Sequence, residues 1–270
     1  MSGVRDLKRR ISGIKNMKKI TGALYMISSV RLKGVQKSVQ DYNYFLEKLR
    51  DIVSLIPAGE KFAGESPPLV IVMASDRGLA GGYNAGVLRL AREKIDGLKA
   101  KDIITIGEKA RKFFVQKGHS PLLWYTNMEK ELPPTVLEEI TGKVFEAHKN
   151  GSAVYTAYTR FISPAKLIPE VVKMLPLERG RKVKEEIIFE PSPQELLNLI
   201  LEFYVKSTLQ GLFLNSYACE QASRMRAMES AADNADDLLE ELTLKFHTER
   251  KAVITREITE IVSGAENYLH

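Results

Sequence analysis

Residues 1–56, MSGVRDLKRRISGIKNMKKITGALYMISSVRLKGVQKSVQDYNYFLEKLRDIVSLI, contain no proline and place an apolar side chain at nearly every third or fourth position. The series runs Val4, Leu7, Ile11, Ile14, Met17, Ile20, Leu24, Ile27 and Val30, then Val35, Val39, Tyr42, Phe45, Leu49, Ile52 and Ile56. That spacing draws a stripe along one face of a helix. At 1.5 Å per residue, an unbroken helix reaching Pro57 is about 84 Å long. Compact domains do not hold helices of that length, so the stripe predicts a coiled coil.

The far end of the chain reads the same way. Ser192-Pro193-Gln194-Glu195 has a capping serine, a first-turn proline and a glutamate three residues after the serine, the pattern of a helix start. No proline follows. A seam continues through Ala222, Met225, Met228, Ala232, Ala235, Leu238, Leu242, Val253, Ile258, Ile261 and Val262, with a bend at Gly211 left open. Small residues (Ala218, Cys219, Ala222, Ala227, Ala231, Ala232, Ala235) crowd its first half and allow close approach of a second helix. Each long helix is the obvious partner of the other. Residues 1–56 carry a net +8 and residues 192–270 a net −6, which favours the pairing. Exposed ion pairs add only ~0.2–1 kcal/mol each, so the buried seam supplies most of the stabilisation.

Between the helices lies a predicted α/β insertion. Leu69 to Ala74 is wholly apolar, as in a strand buried on both faces. A helix is expected from about Tyr83 to Lys99, a strand over Asp102–Ile106, a helix to about Lys117 and a short strand over Leu122–Tyr125. A helix from about Pro134 to Lys149 and an alternating strand over Ser152–Phe161 complete the layered pattern. The expected organisation is 1–57 as one coiled-coil helix, 68–191 as an inserted Rossmann-like α/β domain, and 192–270 as the second coiled-coil helix.

Composition limits the function classes. With 44% hydrophobic and 27% charged residues the chain has the balance of a folded globular protein. No apolar run approaches the roughly 18–20 residues of a membrane span. The basic start lacks an apolar run, so no secretory leader is expected. The single Cys219 excludes an intramolecular disulfide and any multi-cysteine metal site, and fits a reducing compartment. Four dispersed histidines show no ligand spacing, and no nucleophile elbow or zinc-helix motif occurs. No catalytic constellation, cofactor site or metal site is expected. The turn Ser75-Asp76-Arg77-Gly78-Leu79-Ala80-Gly81-Gly82 sits between a strand and a helix, where α/β proteins bind phosphate. It lacks the spacing of either phosphate fingerprint, so a structural turn or docking loop is the favoured reading. The basic cluster Arg5, Lys8, Arg9, Arg10, Lys15, Lys18, Lys19 has no interleaved aromatics, and no nucleic-acid partner is expected.

Four stretches carry a family resemblance. ISGIKNMKKITGALYMISSVRLKGVQ is similar to the start of the gamma subunit of the rotary F-type ATP synthase. CEQASRMRAMESAADNADDLLEELTLKFHTERKAVITREITEIVSGA resembles that family's C-terminal signature, most specifically Ile254-Thr255, Glu257 and Thr259 through Ala265. ASDRGLAGGYN resembles its glycine turn, and FEPSP before a long helix also matches. The resemblance implies a rotor shaft rather than an enzyme: an antiparallel coiled coil inside a hexamer of three alpha and three beta subunits, with the insertion near epsilon and the ring of c subunits. It implies a non-catalytic subunit that couples proton flow and ring rotation to ATP synthesis or hydrolysis at beta. It also implies a peripheral place on the cytoplasmic face of a bacterial plasma membrane, held there only through the complex.

By position, the resemblance assigns Arg250, Arg256, Lys18, Lys19, Arg224 and Met225 to contact with beta. It assigns Tyr204, Lys206, Asp76 and Arg77 to the c-ring and epsilon side. Some positions depart from the family pattern. Arg256 stands for the usual Gln, Gly22 and Leu24 for Lys and Met, and Lys206 for an acid found in some relatives. Ala80 replaces a common cysteine and the chloroplast redox insertion is absent, so thiol regulation is not expected. A passive scaffold of the same shape and an α/β nucleotide-binding enzyme using Asp76–Gly82 are the alternatives.

Overall fold

The computed structural model describes residues 2–56, 66–177 and 192–266. In chain order the elements are α1 (Ser2–Leu55), β1 (Ser66–Met73), α2 (Tyr83–Leu98), β2 (Asp102–Ile106), α3 (Glu108–Gln116) and β3 (Leu123–Tyr125). Then come α4 (Pro134–Lys149), β4 (Ser152–Ser163), β5 (Lys166–Leu175) and α5 (Pro193–Glu266). The two terminal helices hold 54 and 74 residues, roughly 81 and 111 Å at the standard rise. They form an antiparallel coiled coil, and the sheet lies between them in sequence, as expected.

The chain divides into two compact units, one of residues 28–224 and one of residues 1–27 with 225–270. The first holds a five-stranded sheet in the order β3-β2-β1-β4-β5. The β1–β2, β1–β4 and β2–β3 pairs are parallel, and β4–β5 is antiparallel. Side chains alternate across the pleat with period two. Leu69, Ile71 and Met73 of β1 face one core, with Ile104, Ile106, Val154 and Tyr158, Ile140 and Val144 of α4, Leu49 and Val53 of α1, and Val205, Leu209 and Phe213 of α5. Val70, Val72 and Ala74 face the other, with Ile103, Ala157, Val87, Ala91 and Ile95 of α2 and Ala110 and Phe114 of α3. β1 therefore has no polar face because it is central and covered on both sides. In this unit, α1 and α5 are themselves part of the sheet's core.

Strand β5 is absent from the sequence reading. It is an edge strand of intermediate burial carrying Lys166, Pro169, Glu170 and Lys173, so it lacks both an apolar run and a clean alternation. Pro169 is tolerated because an edge has a side with no ladder to satisfy. It packs on Gly86, where an added Cβ would lie 3.0 Å from the proline ring. At Gly211, where the sequence left a bend open, α5 continues as helix without interruption. Gly211 is buried, and a Cβ there would come within 2.9 Å of Tyr42 Cδ1 and collide with Leu46. Its role is close helix approach. At the start of α5, the Glu195 amide donates to Ser192 Oγ at 3.3 Å, the capping contact expected.

The α1 seam also differs from the apolar series. Leu7, Thr21, Ser28, Leu32, Val35 and Val39 are buried, and Ile11, Ile14 and Tyr25 are half-buried. Positions 7, 14, 21, 28 and 35 keep a seven-residue repeat, and positions 11, 25, 32 and 39 keep it with exposed Lys18 in the missing place, the period of a left-handed coiled coil. Met17, Ile20, Ile27 and Val30 instead stand 50–70% exposed. Following apolar residue type led off the seam because Thr21 and Ser28 occupy it. The Thr21 hydroxyl is satisfied within the helix, donating to the Lys18 carbonyl at 3.0 Å.

Candidate functional site

The turn after β1 lies at the carboxyl ends of β1 and β4, the switch point where parallel sheets bind ligands. Here that crevice is filled by α5. Ser216 Oγ accepts the Thr159 amide at 3.3 Å, and the Cys219 thiol donates to the Thr159 carbonyl at 3.4 Å. Ser223 Oγ donates to the Ala80 carbonyl at 2.7 Å, and Arg224 donates to the carbonyls of Arg77 and Gly78 at 3.3–3.4 Å. The space left beside Asp76, Tyr83, Ser216 and Glu220 is about 10 Å³, roughly one water molecule.

The turn's own residues are similarly engaged. Asp76 Oδ1 accepts the Glu108 amide at 2.9 Å, which caps α3, and Oδ2 accepts the Met128 amide at 3.1 Å. Ser75 Oγ donates to the Arg77 carbonyl at 2.7 Å, and Asn84 Oδ1 accepts the Ser75 amide at 3.0 Å. Gly107, at φ +99°, closes against the Ala74 carbonyl, where a side chain has neither the dihedral nor the room. At the tip Leu79 adopts φ +61° and is 64% exposed. A non-glycine residue in that region is held there by its surroundings, and the Arg224 and Ser223 bonds supply the hold.

Charge in and around the turn is balanced locally. Arg224 Nη1 pairs with Glu220 at 2.8 Å. Burial pushes the Glu220 carboxyl above its ordinary value, and Arg224 opposes that rise. Hydrogen bonding from Arg111, then Lys112, holds the half-buried Glu108 down at about 2. Burial raises the Tyr83 phenol well above its usual range.

The residues singled out from sequence fall in several settings. Asp76, Arg77 and Arg224 meet at this turn, although the resemblance assigned them to different partners; Arg224 is 8% exposed and its guanidinium is used internally. Tyr204 is buried in the core beneath the sheet, and Lys206 pairs with Glu202 at 2.7 Å. Lys18 bridges to Asp236 at 2.5 Å. Lys19, Arg250 and Arg256 are exposed, and Met225 is half-buried. Ser223, Glu220 and Asn84 were not singled out by sequence reasoning. Only their contacts with the turn distinguish them from ordinary helix residues.

A second candidate surface covers the outside of the unit formed by residues 1–27 and 225–270. Met17, Ile20, Met26 and Ile27 on α1 are 50–68% exposed, as are Leu238, Leu244, Ile254, Ile258, Ile261 and Val262 on α5 at 42–72%. The Lys18–Asp236 pair puts Ser2 opposite about residue 252 in an antiparallel register. Some 14 further residues of α5, about 21 Å, then run beyond the start of α1. Ile254, Ile258, Ile261 and Val262 lie there on one face and are 42–72% exposed. Among the described residues, no helix is long and apolar enough to cross a membrane.

Comparison with known proteins agrees along the whole chain. A family model described as "ATP synthase" matches residues 3–267. The ATP synthase gamma chain of Desulforamulus reducens is 33% identical over 281 residues, covering 98% of this chain and 99% of its own length. Two chains of the Euglena gracilis mitochondrial ATP synthase share the fold. One, from the rotor, has a TM-score of 0.70 at 15% identity, covering 94% of this chain and 99% of its own. The other, from the OSCP/F1/c-ring assembly, has a TM-score of 0.71 at 18% identity, covering 100% and 95%.

Proposed function

This chain belongs to the ATP synthase gamma-chain family, and on that premise we propose that it is the central rotor shaft of a bacterial ATP synthase. The observation that carries the reading is the apolar exterior of the unit formed by residues 1–27 and 225–270. A helix pair that has buried its own seam leaves at least ten large apolar side chains in water, a surface that marks a partner site. A sleeve of three alpha and three beta subunits is the partner we infer. Ile254, Ile258, Ile261 and Val262 turn in its apolar bore.

The mechanism follows from how the chain is built. Torque enters at the sheet-bearing unit, which takes up epsilon and the c ring through Lys206, Arg77 and their surroundings, whereas Tyr204 is buried and Asp76 is engaged within the turn. α1 and α5 both contribute to that unit's core, so the two helices that make up the shaft are anchored in the sheet-bearing unit itself. Lys18, Lys19, Arg250 and Arg256 then present charge to each beta subunit in turn, with Met225 on the same helix as the two arginines, whereas Arg224 is buried and holds the turn from within. The shaft itself does no chemistry; nucleotide binds to and reacts on the hexamer. The complex meets the cytoplasmic face of the plasma membrane through the c ring.

The test is co-expression with alpha and beta subunits of the same source. An assembly of one copy with three alpha and three beta, and ATPase activity lost when the chain is omitted, supports the shaft. A hexamer indifferent to the chain overturns it. Single-particle rotation separates a turning shaft from a passive scaffold. Calorimetric titration with ATP tests the enzyme reading, which the filling of the switch-point crevice by α5 disfavours.

A further inference from the structure

The seven-residue repeat of the helix pair does not by itself fix how far α5 slides along α1. In the paired stretch of residues 1–27 and 225–270, a slip of three or four residues again presents seam positions to seam positions, so burial there leaves several registers close in free energy. A directional contact has to choose between them.

One such contact stands where the helices pass the sheet. Asn215 of α5 is 2% exposed. Its Nδ2 donates to Asn43 Oδ1 at 2.7 Å and to the Gly211 carbonyl at 2.9 Å, and its Oδ1 accepts the Phe161 amide of β4 at 3.2 Å. Asn43 Nδ2 returns a longer bond of 3.5 Å to Asn215 Oδ1. One turn away, Tyr42 and Leu46 of α1 close on Gly211, where no side chain fits.

The geometry points to a register lock: Asn43 and Asn215, with Tyr42 and Leu46 seated on Gly211, hold α1 and α5 in one register and fix both to β4. A slip of four residues brings the Asn215 amide against Val39 or Glu47 and leaves the Asn43 bond unmade. A buried amide without its partner forfeits a hydrogen bond that water no longer replaces. The same slip puts a residue with a side chain where Gly211 now admits Tyr42 and Leu46. The contact resembles the single buried asparagine that sets register in coiled coils at some cost in stability. It is independent of the shaft proposal, because it operates within the isolated chain.

The lock is tested by cross-linking the full chain in a Cys219→Ala background. Lys18→Cys is combined in turn with Asp236→Cys, the register seen here, and with Asp233→Cys or Glu240→Cys, displaced by three and four residues. Dibromobimane bridging is read by mass spectrometry. The parent favours position 236. Asn43→Leu lowers that preference about fivefold, as the loss of one buried hydrogen bond gives, while Asn43→Asp, which keeps the acceptor oxygen, leaves it unchanged. An Asn43→Leu profile equal to the parent's, or an Asn43→Asp profile spread as widely as Asn43→Leu, overturns the lock. Asn43→Ala is read by the same criteria if the leucine variant does not fold.

Discussion

The same two helices live two different lives. Between residues 204 and 224, nearly every α5 side chain is buried, packed on the sheet, on α1 or on the glycine turn. Between 236 and 262, nearly every one is exposed, including Leu244 at 70% and Ile261 at 72%. Apolar residues are plentiful in both stretches, although the second also carries 11 charged residues in 27 against 3 in 21. What differs is whether this chain supplies a covering surface. The unit of residues 28–224 covers its central strands on both faces with its own helices. The unit of residues 1–27 and 225–270 satisfies one face and leaves the other for something else.

That contrast is broken most severely by matched substitutions. Ile71→Ala in the sheet core should cost about 4 kcal/mol of unfolding free energy, because it leaves a cavity at a fully buried site. Chemical denaturation of the isolated chain measures it. Ile258→Ala should stay within ~0.5 kcal/mol in the same experiment, yet weaken assembly with alpha and beta subunits. A loss at Ile258 comparable to that at Ile71 would mean that the exposed face is covered within this chain.

Arg224→Ala should cost about 3 kcal/mol at pH 7, since Glu220 then keeps a largely buried charge without its partner. The effect has a defined pH sense. The folded Glu220 carboxyl already stands above its ordinary value of 4.5, so the folded state holds its proton more tightly than the unfolded state. Its contribution to stability therefore falls as pH rises from 4.5 through the raised value, and the Arg224→Ala penalty should shrink on acidification. Glu108 has the opposite sign. Held at about 2, it contributes stability that is present above its ordinary value of 4.5 and lost as pH falls toward 2. Glu220→Gln and Glu108→Gln, compared across pH 2–8, should change the stability profile in opposite directions.

The smallest of these effects is expected at Ser223. Removing its hydroxyl with Ser223→Ala leaves the Ala80 carbonyl without that donor, at a cost of about 1 kcal/mol. Greater protease sensitivity at the glycine turn is the sharper measurement there. An unchanged turn would show that Arg224 alone holds it.

Much of this was legible in the residues. Proline-free helical spacing at both ends required two long helices. The unbroken apolar run at 69–74 required a central strand covered on both faces. Three helices and four strands of the insertion fall within a few residues of where the pattern put them. β5 was not legible, because an edge strand with a proline, a glutamate and two lysines carries no periodic signal of its own. The seam was only half legible, since Thr21 and Ser28 sit in it while Met17 and Ile20 do not.

For the candidate site, the glycine turn announced itself by composition, but its use did not. Local spacing on the chain determines which segments become helices and strands, because backbone geometry fixes periods of 3.6 and 2 wherever they occur. Tertiary structure alone decided that α5 fills the switch-point crevice, that Arg224 spends its charge on the turn, and that Gly211 and Asn215 meet α1. Those facts depend on residues 54 to 172 positions apart in sequence, and no local pattern encodes a contact across that distance.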